Sequence, residues 1–303
     1  MKKILVTGGT VFVSRFTAEY FVQKGYEVFV LNRGTRPQPK GVTLLQADRH
    51  HLGNLLKELH FDAVLDITAY TAQDVTDLLD GLGSYDQYVL ISSSAVYPET
   101  APQPFREDSP MGENCFWGSY GTDKIAAEQA LLARDPKAYI LRPAYLYGPM
   151  DDIYREAFVF ECALQNRRFY LPQQGQLPLQ FFHVEDLCRM METILEQKPE
   201  QRVYNAGNPE PISAQQWVEL CYRVAGKQPA LAYVPKEVPQ RSYFSFFDYA
   251  YLLDVTEQKK LLPVCKPIEE GLQEAYAWYI QHTDQVERKP YLAYIDAHLS
   301  KEE

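Results

Sequence analysis

Ile4-Leu5-Val6-Thr7-Gly8-Gly9-Thr10-Val11-Phe12-Val13-Ser14 is the stretch on which the reading of this chain turns. Three consecutive apolar residues run into a glycine pair, and a helical pattern follows to about Lys24. An apolar run without alternation suits a strand buried on both faces, as in a parallel sheet covered by helices. A glycine turn joining such a strand to a helix is where an open α/β sheet binds a pyrophosphate, on backbone N–H groups and the positive end of the helix dipole. Lys2-Lys3 gives the start the basic-then-apolar look of a signal peptide, but the apolar part ends too soon for one.

The rhythm continues outward. Strands are expected over 27–31, 43–46, 63–67, 87–92 and 138–141. Helices are expected over 51–59, 72–82 and 119–133, and a long loop rich in Pro, Glu and Ser over 98–114. Strands alternating with helices imply right-handed crossovers and an α/β fold built on a doubly wound parallel sheet. After Pro149 the rhythm changes. Helices over 153–165, 185–197, 213–225 and 268–282 are separated by Pro-punctuated turns, and a short apolar run covers 181–184. Residues 203–303 read as loops and amphipathic helices, ending in a helix or a frayed tail.

The chain has 303 residues, enough for one large domain or two interlocked ones. It carries 40 acidic against 30 basic side chains, a net charge of −10, and offers no basic face. That argues against nucleic acid or an anionic membrane as a partner held by bulk electrostatics. The apolar runs fall short of the roughly 20 residues that a membrane-spanning helix needs. Five cysteines, far apart and without a C-x-x-C, suit a reduced cytoplasmic protein. His50, His51 and His60 show no carboxylate or Cys at metal spacing, so no metal site is expected. The 22 tyrosines are the compositional oddity.

One tyrosine stands out by position. In Ser119-Tyr120-Gly121-Thr122-Asp123-Lys124, Tyr120 and Lys124 are four apart and share a helix face. A phenol with a pKa of about 10 exchanges protons poorly near neutrality. A neighbouring ammonium stabilises the phenolate and makes it a usable acid/base. The end of the fifth strand is rich in hydroxyls, in Ile91-Ser92-Ser93-Ser94-Ala95-Val96-Tyr97.

These segments together resemble the extended short-chain dehydrogenase/reductase family, of the NAD-dependent epimerase/dehydratase type. Its turn is T-G-x-x-G-x-x-G. Gly8 matches the first glycine, Gly9-Thr10 the spacer, and Val11 and Ser14 stand where the second and third glycines would be. Ser14 is small, but a β-branched Val11 resists φ > 0 and close backbone approach to phosphate. A branch resembling chloroplast stem-loop RNA-binding proteins also replaces the second glycine with a bulky residue. The resemblance further covers Leu141-Arg142-Pro143 with Tyr147-Gly148-Pro149, and Phe181-Phe182-His183-Val184-Glu185-Asp186. Ala144 and Tyr145 occupy the region where sugar-nucleotide enzymes commonly carry an Asn, and Leu179 stands where a basic residue is expected.

The resemblance implies a dinucleotide-binding Rossmann-type domain over 1–149 plus about 180–206. It also implies a smaller C-terminal substrate-binding α/β domain over about 150–179 and 207–303. It assigns catalysis to Tyr120, Lys124 and Ser93, with Ser94 the alternative if the loop is shifted by one. Cofactor contacts fall to Gly8, Gly9, Thr10, Val11, Phe12, Asn32, Arg33, Asp48, Ala69, Lys124 and Pro143. No acid stands at Asn32 to grip a ribose 2′-hydroxyl, while Arg33 and Arg36 suit a 2′-phosphate, which favours NADP over NAD. The expected function is an NAD(P)-dependent epimerase/dehydratase-like oxidoreductase acting on a small molecule, a sugar or another hydroxyl or carbonyl compound. Relatives often form homodimers through the Tyr-Lys helix. The alternative is a dinucleotide-sensing or RNA-binding protein on a retained scaffold. The aromatic run from Tyr243 to Tyr249 reads as core packing or an interface, or else as the wall of an apolar pocket.

Overall fold

A computed structural model describes residues 2–300. Six strands follow the expected order: β1 (Lys3–Thr7), β2 (Glu27–Asn32), β3 (Val42–Gln46), β4 (His60–Asp66), β5 (Ser84–Ile91) and β6 (Tyr139–Pro143). With Val203–Ala206 they form a seven-stranded sheet in the order Val203–Ala206, β6, β5, β4, β1, β2, β3. Every pairing in it is parallel. The strand order reverses between β1 and β4, so their C-terminal ends open a crevice.

Alternate residues of each strand feed two separate cores. Ile4 and Val6 join Val30 and Leu65 on the face packed by α1 (Phe12–Gln23) and by Val184–Gln197, through Phe21, Leu187 and Met191. Leu5, Val64 and Leu90 point the other way, onto α2 (Ala72–Gly81) and α3 (Ser119–Arg134), through Val75, Leu78, Ala127 and Leu131. Both faces are therefore dry, which is why these strands read as continuous apolar runs.

Two expectations change. The segment 51–59 is a chain of turns, not a helix: its bonds close Leu55 to Leu52, Lys57 to Asn54 and Leu59 to Leu56, three residues apart. Gly53 sits at φ 53°, so the chain cannot settle into a helix there, although Leu52 and Leu56 are still buried. Val203–Ala206, read as loop, is a strand, because β6 offers it an edge in register from Val203 opposite Ile140 to Ala206 opposite Pro143.

The chain divides into two compact units: Met1–Leu146, Phe182–Pro209 and Leu253–Cys265, and then Tyr147–Phe181, Glu210–Leu252 and Lys266–Glu303. The second unit packs the helices Glu156–Leu164, Ala214–Val224 and Ile268–Tyr279 around a parallel pair, Phe169–Pro172 and Leu231–Val234. Its core is aromatic. Trp217 stacks on Phe181 at 3.8 Å, and Phe244 and Phe246 of the Tyr243–Tyr249 run are buried within it. Tyr291–His298 is helical, and 301–303 lie outside the described residues. Among the described residues no helix is long and apolar enough to cross a membrane.

A buried ion pair fixes α3 to the sheet. Arg142 on β6 donates to Glu128 from Nη2 at 2.6 Å and from Nε at 2.9 Å, and Ser92 at the end of β5 bonds the same carboxylate. The guanidinium also donates to the Tyr97 hydroxyl at 2.8 Å, which passes its own hydrogen to Asn205. Removing one partner of such a pair strands the other charge away from water, at a cost of about 3–5 kcal/mol. Glu128→Ala is therefore expected to lower the unfolding free energy by about that much, measured as a loss of urea midpoint. Glu19→Ala, which removes the half-exposed partner of Arg15, should cost under about 1 kcal/mol.

Candidate active site

The glycine turn is tighter than its sequence suggests. Gly8 and Gly9 sit at φ 86° and 87°, and a Cβ on Gly8 would lie 2.8 Å from Thr68 and 2.9 Å from the Ser14 hydroxyl. Ser14 thus fills the place of the third glycine by packing against the first, and it donates to the Val11 carbonyl at 2.9 Å. Val11 does not meet the constraint expected of it. It is extended, at φ −135°, and the left-handed residue is the buried Phe12, at φ 31°. That conformation costs a non-glycine residue about 1–2 kcal/mol. Asn32 pins the turn from β2, its amide donating to Gly8 O at 2.6 Å and to Gln38 at 2.9 Å.

No side chain caps the start of α1, and no acid stands in its first turn. Beside it lies a cavity of about 450 Å³ lined by Gly8, Thr10, Val11, Asn32, Arg33, Arg36, Asp48, Arg49 and Thr68, among others. A room of this size at a bare helix N-terminus, with cations on its rim, fits the phosphate and adenosine half of a dinucleotide. Asp48 is exposed, and the His50 N–H it accepts at 3.0 Å holds its carboxyl below the usual range. Gly9, Phe12, Ala69, Lys124 and Pro143 do not line this cavity.

Behind the turn is a polar hub that the sequence reading missed. Asp66, the last residue of β4, is fully buried. It accepts Thr7 Oγ1 at 2.7 Å, Tyr88 Oη at 2.6 Å, and Arg49 Nη2 at 3.0 and 2.9 Å on its two oxygens. Thr7 Oγ1 in turn accepts the N–H groups of Ile67 and Thr68 at 2.9 and 3.1 Å. An Asp closing the apolar run Ala63-Val64-Leu65 was the available signal, since a buried carboxylate requires partners. The fold also gives the histidines carboxylate neighbours that spacing alone did not show. His50 Nδ1 lies 2.7 Å from Asp77, and His60 shares an exposed corner with Asp62 and Asp86, with ligand atoms within 4.8 Å of one another.

The Tyr-Lys helix is seated by a glycine. A Cβ on Gly121 would lie 2.4 Å from the carbonyl of Ala95, in the turn after β5. Only hydrogen there lets α3 come so close to the three serines. Those serines separate cleanly. Ser92 is buried on Glu128, and Ser94 is buried with its hydroxyl on the Pro143 carbonyl at 2.8 Å. Ser93 is half-buried and accepts the Ala95 N–H at 3.1 Å.

Lys124 is 2% exposed. Its Nζ donates to Ala69 O at 2.6 Å and to Ile91 O at 2.9 Å, and lies 5.9 Å from the centre of the Tyr120 ring. Burial pushes its ammonium down to about 8, against the opposing pull of Asp66, Glu128 and Asp74. Tyr120 itself is half-buried, with the Trp117 ring 5.9 Å away and Tyr145 beyond Trp117 at 6.3 Å.

Residues 4–207 match the model of the NAD dependent epimerase/dehydratase family. The chain is 26% identical over 301 residues to the chloroplast stem-loop binding protein of 41 kDa b of Arabidopsis thaliana, covering 91% of this chain and 78% of that protein. It is 26% identical over 239 residues to the probable GDP-L-fucose synthase 1 of Oryza sativa subsp. japonica, covering 72% and 70%. Its fold is similar to that of dTDP-glucose 4,6-dehydratase from Bacillus anthracis, solved in complex with NAD. The TM-score is 0.76 at 20% identity, over 94% of this chain and 99% of that one.

Two outcomes follow from the geometry. Gly121→Ala should cost about 1–3 kcal/mol through the forced shift of α3, whereas Gln129→Ala on the exposed face should stay within about 0.5 kcal/mol; urea unfolding compares them. Lys124 gives a pH dependence. Its pKa falls from 10.5 unfolded to about 8 folded. Between those values the unfolded chain holds a proton that the folded chain has lost, so stability from this group rises with pH across that window. The stability of wild type relative to Lys124→Met should therefore improve between pH 8 and 10.5. A flat difference would show that Lys124 is not desolvated.

Proposed function

The chain belongs to the NAD dependent epimerase/dehydratase family, and on that footing we propose that it is a nicotinamide-dinucleotide-dependent oxidoreductase acting at a hydroxyl or carbonyl carbon of a sugar or similar small molecule. One observation carries the reading: a desolvated lysine stands one helical turn from a half-buried tyrosine, at the end of the sheet that carries the glycine turn and its cavity. A bound nicotinamide would supply the hydride acceptor or donor. The chain's own residues handle the proton and the geometry. Tyr120 takes the proton from the substrate hydroxyl, or returns it to the forming alkoxide. Lys124 lowers the cost of the phenolate, and two of its three N–H groups are spent on Ala69 and Ile91, leaving one for a ribose hydroxyl. Ser93 accepts from Ala95 and keeps its own hydrogen for the substrate oxygen.

The first unit is assigned to the dinucleotide and the second to the rest of the substrate. NADP is favoured. Arg33 and Arg36 line the cavity, and the residue closing β2 is an amide already engaged by Gly8 and Gln38, so no carboxylate at that position opposes a 2′-phosphate. Sugar nucleotides appear in the names of several relatives and fold neighbours, which supports that substrate class. The similarity to a stem-loop binding protein favours a second reading, RNA binding on the same scaffold, but the charge of −10 opposes it.

Thermal-shift titration with NAD, NADP and their reduced forms tests the assignment. NADP should bind more tightly than NAD, and Arg33→Ala with Arg36→Ala should remove the preference. Tyr120→Phe should keep cofactor binding and reduce turnover by about 10²–10⁴-fold. No binding of any form at millimolar concentration, or tight salt-sensitive RNA binding instead, would overturn the reading.

A further inference from the structure

We propose that Tyr70 is a positioning residue for the Tyr120–Lys124 pair, its ring face acting as the partner of the Lys124 ammonium where the site opens to water. The inference rests on the roles given above to Tyr120 and Lys124.

Lys124 Nζ lies 4.8 Å from the centre of the Tyr70 ring, nearer than the 5.9 Å that separates it from the Tyr120 ring. The Tyr70 and Tyr120 rings are 6.5 Å apart, so the two phenols flank one ammonium. Tyr70 is 52% exposed while Lys124 is 2% exposed, which places the Tyr70 ring at the boundary with solvent. The backbone fixes it there. Ala69 O accepts Lys124 Nζ at 2.6 Å, and the Tyr70 N–H donates to Asp74 Oδ2 at 2.9 Å. One dipeptide thus offers the ammonium both a carbonyl and a ring.

The charged groups around Lys124 do not replace that ring. Asp66 at the end of β4 is held by Arg49, Thr7 and Tyr88. Asp74 on α2 is held by Thr71 and the Tyr70 N–H. Glu128, one turn along α3, is held by Arg142 and Ser92. Arg49 brings a further positive charge, which works against the ammonium. Lys124 forms no ion pair with any of these carboxylates among the described residues. Its direct partners are two neutral carbonyls and ring faces. A cation on an aromatic face gains enough to move its titration by about half a pH unit at an exposed ring and about one and a half when desolvated.

The test follows the Lys124 side chain itself by NMR titration of ¹³C-lysine-labelled protein, with Lys124→Met identifying its signal. Tyr70→Leu should move the midpoint down from about 8 by half a unit or more, because the ring face is lost. Tyr70→Phe keeps the face and should stay within about 0.2 unit of wild type. Half-exposed Tyr70 should tolerate both changes, which thermal unfolding checks. An unmoved midpoint in Tyr70→Leu overturns the proposal. So does a Tyr70→Phe midpoint that falls as far, since the hydroxyl would then be acting. The readout needs neither substrate nor cofactor. Failure of wild-type protein to bind any nicotinamide dinucleotide would sink the oxidoreductase reading while leaving this shift intact.

Discussion

The carboxylate of Asp66 is the interaction on which the site's geometry hangs. It lies fully buried at the point where the strand order reverses, and donors from β1, β5 and the segment after β3 converge on it. A bare carboxylate there would be prohibitively costly, so the hub holds only as a complete set. Its effect is passed on in both directions. Through Thr7 it sets the backbone of Ile67 and Thr68, and the Thr68 methyl closes on Gly8. One residue further on, the Ala69 carbonyl receives Lys124. The glycine turn and the lysine are thus two ends of one short chain of contacts.

The Glu128–Arg142 pair does for α3 what Asp66 does for the sheet. Between them Lys124 sits in a field of opposing effects. Burial disfavours its charge, and three carboxylates favour it without touching it. An ammonium directly paired to a carboxylate would hold its proton more firmly, but its attraction for a nearby phenolate would be partly cancelled. Keeping the acids engaged elsewhere leaves the lysine's charge directed at the phenols.

Much of this was legible in the sequence, for identifiable reasons. Strands buried on both faces announce themselves as continuous apolar runs, and Tyr120 and Lys124 are linked by helical periodicity alone. What escaped depends on residues distant in sequence. Arg49 finds Asp66 across 17 residues, and Arg142 finds Glu128 across 14. Gly121 is set against Ala95 by the packing of a helix on a turn, and nothing local marks it. The turns over 51–59 bury Leu52 and Leu56 without a helix, because that burial does not require helical bonds. The choice among the three serines rests on the family resemblance; in the fold Ser92 is spent on Glu128 and Ser94 on Pro143, and Ser93 is the one proposed for the substrate oxygen.

The glycine turn shows why reading a motif residue by residue misleads. Losing two glycines looks like two defects. In the folded turn the left-handed backbone falls one residue on, at Phe12, whose side chain is buried. Ser14 supplies a hydroxyl that ties back to Val11. Asn32 then carries a double duty. As the residue closing β2 it bears on the ribose preference proposed above, and as a donor to Gly8 it holds the turn's carbonyl in place. A carboxylate at that position would grip a 2′-hydroxyl but could not donate to Gly8, and would face its oxygen instead. The amide at the end of β2 and the turn beside it are therefore joined through the Gly8 carbonyl. The preference for a phosphorylated ribose proposed above follows from how the turn is held as much as from Arg33 and Arg36.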